Sequence, residues 1–69
     1  MDRKEYLKLC QQNAINTTKT KVRFNDIEYY PYAYEMYFDG KGNALNTAIL
    51  KDLKANSVTY VSLEKVEEM

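Results

Sequence analysis

The side chains that catalysis draws on most are nearly missing from this sequence: there is no histidine and one cysteine, Cys10, in 69 residues. A serine or cysteine nucleophile activated by an imidazole is therefore excluded. A structural zinc centre, which wants four nitrogen or sulfur ligands, has nothing to be built from. Cys10 falls on an apolar stripe with Tyr6, Leu9 and Ala14, which reads as a buried structural thiol. Glu28, Glu35, Asp39 and Asp52 are acids enough for general acid–base work. That chemistry needs a concave, partly dry pocket to split their pKa values, and a chain this short rarely makes one. Gly40-Lys41-Gly42-Asn43 has the look of a phosphate-cradling loop, but it lacks the Walker spacing and no helix follows, so it reads as a hairpin turn. The expectation is a protein that is not an enzyme, with no cofactor, no metal and no small-molecule substrate.

Tyrosine is the residue type with functional content. Tyr29, Tyr30, Tyr32, Tyr34 and Tyr37 fall within nine residues of one segment, beside Phe24, Ile27, Met36 and Phe38. Aromatic and β-branched side chains suit a pleated, half-buried surface, so Lys21–Asp39 is expected to form the central strands of a small sheet. Strict alternation puts Tyr32, Tyr34, Met36 and Phe38 on the core face. Tyr29, Tyr30 and Tyr37 are then the tyrosines left partly outside. With Arg23 and Lys21 they form the candidate partner-binding set, since Tyr supplies large contact area at low entropic cost.

A chain of 69 residues holds one domain, and a thin core of this size gains from association with another chain. Ten basic and ten acidic residues cancel, leaving no global field to draw in nucleic acid or an anionic membrane. Along the chain the balance is mildly uneven: residues 1–26 carry net +3, residues 27–53 net −2, and the remainder net −1. No apolar run reaches the roughly 20 residues needed to span a bilayer, and the first residues lack the apolar centre of a signal peptide. The expected location is the cytoplasm.

The elements expected to position these residues follow in order. Asp2 and Glu5 have the spacing of a capping box, with Met1 and Tyr6 as a hydrophobic staple, so a helix is predicted over residues 2–13. Residues 15–20 read as a linker. Strands are predicted at 21–25, at 27–30, at 32–39 after a kink at Pro31, at 44–50 and at 57–66. Asn25-Asp26 reads as a tight turn or a bulge, residues 39–43 as a turn, residues 51–56 as one helical turn, and residues 64–69 as a frayed acidic tail. The last strand is expected to be apolar on both faces. The class is α+β and mainly β: one helix packed on a five-stranded antiparallel SH3-like barrel or strongly twisted sheet, as a single domain over residues 1–69.

From Val22 to Val66 the chain resembles short uncharacterised proteins carried by phages and prophages of Gram-positive bacteria. The resemblance is carried by Tyr29-Tyr30-Pro31, by Phe38-Asp39 with Gly42, and by Thr47-Ala48-Ile49-Leu50 followed by Asp52-Leu53 and Asn56-Ser57-Val58. It implies a genetic setting and no activity. The function expected is a small interaction module that binds a protein, or a second copy of itself, through the aromatic patch or the N-terminal helix. The alternative is a nucleic-acid-binding SH3-like or OB-like small barrel using Lys19, Lys21, Arg23 and Lys41, which zero net charge disfavours.

Overall fold

Two residues with left-handed backbone start the sheet. Asn25 (φ 54°) and Asp26 (φ 64°) form a two-residue turn whose twist matches antiparallel strands. It joins β1 (Val22–Phe24) to β2 (Ile27–Phe38), with Phe24 opposite Ile27 and Val22 opposite Tyr29. The second turn is held by Asp39. Its carboxylate accepts from the backbone N–H of Lys41 (2.8 Å) and Asn43 (3.0 Å), while Gly42 sits at φ 86°, where other residues are strained. β3 (Ala44–Asp52) follows, then β4 (Val58–Ser62), a 3₁₀ turn η1 (Leu63–Lys65) and the short β5 (Glu67–Glu68). Ahead of them all is the helix α1 (Arg3–Ile15).

The computed structural model describes all residues, Met1–Met69. The sheet is antiparallel throughout, in the order β4-β3-β2-β1-β5, so a mainly β domain of one helix and five strands is what the chain forms. Its core is Tyr6, Val22, Ala48, Leu50, Val61, Leu63 and Val66. Val61 lies opposite Ala48, and Val22 opposite Tyr29, so these side chains share one face of the sheet. α1 crosses that face and packs on β2. Tyr6 is its anchor, fully buried, and its hydroxyl donates to the Ile49 carbonyl at 2.9 Å.

Several local expectations are corrected. Pro31 does not divide β2. Its nitrogen faces the β1 side, where no strand continues past Tyr29, so the missing N–H costs no ladder bond. The irregularity is a bulge one residue later. Pro31 pairs with Leu50 and Ala33 with Ile49, leaving Tyr32 over. The bulge turns Tyr32 off the core face, so it is exposed instead of buried. Tyr34, Met36 and Phe38 keep the expected face, but only Tyr34 is half-buried, because Met36 and Phe38 lie beyond the core. Residues 53–56 are bends and not a helical turn, because the Asp52 carboxylate takes the Lys54 and Ala55 N–H groups at 2.8 Å each. β4 ends at Ser62 and is buried on one face only, with Val58 and Tyr60 outside. Residues 64–69, expected to fray, contribute to η1 and to β5, which pairs with β1. At the helix start, Asp2 is the N-cap by backbone geometry but makes no side-chain cap bond, and the helix runs two residues further than expected, to Ile15. Asn13 then clamps the linker, its amide donating to and accepting from the Thr20 backbone at 2.9 Å.

Candidate functional site

β2 and β3 outrun every other strand. β1 covers β2 only as far as Tyr29, and β4 covers β3 only from Thr47 onward. Residues 35–38 and 44–46, with their turn, therefore project as a two-stranded arm, in a molecule measuring 40 × 22 × 21 Å. A lone hairpin in water gains little from its own contacts. This one is nonetheless apolar on both faces. Met36 (42% exposed) and Phe38 (66%) lie on the core side, beyond the core, and Tyr37 (50%) and Leu45 (40%) lie opposite each other on the outer side. Tyr34 braces the base of the arm, its hydroxyl bonded to the Asn46 side chain.

The backbone of the arm has no strand beside β3 at residues 44–46, and it is open for longer along its β2 edge. The Asp39 N–H bonds the Asn43 carbonyl at 3.0 Å, so Asp39 turns its polar groups toward β3. In an antiparallel ladder these directions alternate. Glu35 and Tyr37 thus also face β3, while Tyr34, Met36 and Phe38 present N–H and C=O to an edge where no strand lies. Residues 35–38 are all exposed, so neither α1 nor a loop covers that edge.

The expected binding residues do not gather into one patch. Tyr37 is on the arm. Tyr29 and Tyr30 are half-buried, Tyr29 against the core. Arg23 lies opposite Glu28 on the β1 hairpin, and Lys21 pairs with Glu28 at 3.7 Å. From Glu28 to Tyr37 is nine residues of strand, about 30 Å. The residues missed are Met36, Phe38 and Leu45 on the arm and Tyr60 (62% exposed) on the outer face of β4. Only the relative lengths of neighbouring strands would have revealed the first three.

A second feature is a cleft of about 560 Å³ where α1 meets the bulge and the β3–β4 turn. Tyr30, Tyr32, Lys19, Lys51 and Lys54 line it, and the Lys51 ammonium sits 5.4 Å from the centre of the Tyr32 ring. Cys10 is on its wall, half-buried. Burial pushes its thiol above the ordinary value, an effect partly offset by the Tyr6 hydroxyl, which leaves a poor nucleophile at neutral pH. Burial, then the neighbouring Cys10, pushes the Tyr6 phenol up as well. The Asp39 and Asp52 carboxyls are held low by backbone N–H groups, Asp39 by those of Asn43 and Lys41 and Asp52 by those of Ala55 and Lys54. Glu5 on α1 is pushed up by a hydrogen bond to Glu68 of β5 and by that carboxylate's charge. No three His, Cys, Asp or Glu side chains come together as a metal site would need. No helix is long and apolar enough to cross a membrane.

No family model, curated protein or solved structure matches this chain.

Proposed function

We propose that this protein is a non-enzymatic interaction module whose docking surface is the β2–β3 arm. The observation that carries the reading is the combination of an unpaired backbone edge with Met36, Tyr37, Phe38 and Leu45 exposed around it. Proteins normally blunt such edges with charge, proline or a covering element, because an uncovered one recruits another strand. An arm kept apolar and bare is the shape of a surface meant to be covered. An SH3-like small barrel is the architecture this reading assumes, supported by the strand order and by the 3₁₀ turn between the last two strands. The cytoplasm is the proposed location, in a phage or prophage setting that rests on the resemblance alone.

The test compares the full chain with a Tyr37→Ser/Phe38→Ser variant in co-purification and cross-linking. The arm reading expects the variant to keep its melting temperature and lose every association the parent makes. Associations that survive in the variant but disappear in Lys4→Glu/Lys8→Glu would assign binding to the helix instead.

Nucleic-acid binding is the second reading, and the three lysines around Tyr30 and Tyr32 are what favour it. It requires oligonucleotide affinity that falls steeply between low and physiological salt. Weak, salt-insensitive binding would remove it.

A further inference from the structure

We propose that the partner of the arm is a second copy of this chain, joined edge to edge through β2 with a two-fold axis at Met36. The proposal deepens the arm reading and rests on it. A two-fold axis perpendicular to the joined sheet keeps each side chain on its own face, so facing residues must have equal parity. The axis must therefore pass through a residue. Five centres, residues 34–38, lie within the open edge, and the side chains separate them. An axis at Phe38 runs the ladder into the turn, with Tyr37 against Asp39 and Met36 against Gly40. An axis at Glu35 sets Glu35 against its own copy. One at Tyr37 sets Glu35 against Asp39. One at Tyr34 draws Pro31 and the Tyr32 bulge into the new ladder, where Pro31 has no N–H to give and register is broken.

The axis at Met36 meets none of these obstacles. Met36 faces Met36 of the second copy, Tyr34 faces Phe38 on either side of it, and Glu35 faces Tyr37. The three residues whose N–H and C=O point to the open edge are Tyr34, Met36 and Phe38. In this register they face one another as hydrogen-bonded pairs, each exchanging two bonds. Phe38 and Met36, the arm's bare side chains on the core side, are the ones covered. The two Glu35 carboxylates fall on a diagonal roughly 7–8 Å apart, a residual repulsion that salt screens. Pairing uses up both copies' open β2 edges, so this contact closes on itself at two copies.

Sedimentation of the full chain over a concentration series is expected to show a monomer–dimer equilibrium that tightens with added salt. Met36→Lys, at an exposed position, sets two ammonium groups face to face and is expected to weaken the dimer by about a hundredfold or more, with the fold intact. Glu35→Gln is expected to tighten it and reduce the salt effect. In a Cys10→Ala background, Met36→Cys should oxidise to a covalent dimer, because facing residues of a hydrogen-bonded pair stand about 5.5 Å apart, within disulfide reach. Ala44→Cys on β3 should not. A chain that stays monomeric at every concentration overturns the proposal. If Tyr37→Ser/Phe38→Ser still abolishes capture of another protein, the arm reading survives that result. A dimer that cross-links through Ala44→Cys and not Met36→Cys also overturns it, since β3 would then be the paired edge.

Discussion

Replacing Tyr6 by Phe tests one hydrogen bond at the centre of the fold. The ring is fully buried, and its hydroxyl donates to the Ile49 carbonyl at 2.9 Å, beside the point where the β2–β3 register slips. Phe keeps the packing and removes the hydroxyl, with its bond to Ile49 and its weaker interaction with the Cys10 thiol. A net hydrogen bond contributes about 0.5–1.5 kcal/mol, and an acceptor left unpaired away from water costs about 1–3 kcal/mol. The expected loss is about 1–2 kcal/mol, set against a stability of roughly 3–10 kcal/mol for a domain of this length. The melting temperature should fall by roughly 5–15 °C. Urea unfolding should show a lower midpoint at unchanged m-value, since the surface exposed is the same. The phenol also carries a pH signature. Its folded-state pKa is raised above the ordinary 10.0, so its contribution is complete below pH 10 and drains away as the pH climbs beyond it. The gap between parent and variant should close in that alkaline window. A loss under about 0.3 kcal/mol, well below the range for a net hydrogen bond, with a gap indifferent to pH, would refute the bridging role.

Three other outcomes follow from the turns and the one close acid pair. Asp26→Gly relieves a left-handed non-glycine residue and should raise the urea midpoint by the equivalent of about 0.5–1 kcal/mol, whereas Asp26→Ala should give no gain. Asp39→Ala should lower thermal stability at neutral pH. The carboxylate's folded pKa lies below 3.8, so its contribution is present above that value and is lost as the pH falls through the folded one, where parent and variant should converge. Glu68→Gln should stabilise at pH 7 by removing the repulsion on Glu5. The raised Glu5 pKa means that the repulsion counts in full above the folded value and is gone below 4.5, where Glu5 is protonated folded or unfolded, so in melts across the pH range the advantage should vanish in acid.

The fold was legible where local chemistry decides it. The Tyr6 stripe, the Asn25-Asp26 and Asp39–Asn43 turns and the β3 segment all appear in the structure close to where propensity and spacing put them. What was not legible depends on pairing. Alternation assumes an unbroken ladder, and a single unpaired residue, Tyr32, shifts the phase between Pro31 and Ala33, so Tyr34 keeps its expected face while Tyr32 is turned out and Tyr29 is brought against the core. Pro31 looked like the break because it lacks an N–H, yet its nitrogen faces no strand. The short pair between β1 and β5 involves only two residues of an acidic run, too little apolar pattern to read. The candidate site was half visible. The sequence shows a surplus of aromatic side chains, but their exposure arises because β1 and β4 stop short, a property of the neighbouring strands and not of the aromatic segment itself.

The closing contact of the sheet joins Val22 to Glu68, and the Met1 nitrogen donates to the Leu63 and Val66 carbonyls across more than sixty residues of chain. The three hairpins, by contrast, close over turns of two, five and five residues. Loop-closure entropy grows with separation, so the hairpins form early and the seam between β1 and β5 is the slow, late step. Until that seam shuts, Val22, Leu63 and Val66 have no common core to enter, and the apolar arm is already made. The interval between the two events is when a nascent molecule is most exposed to unintended strand pairing.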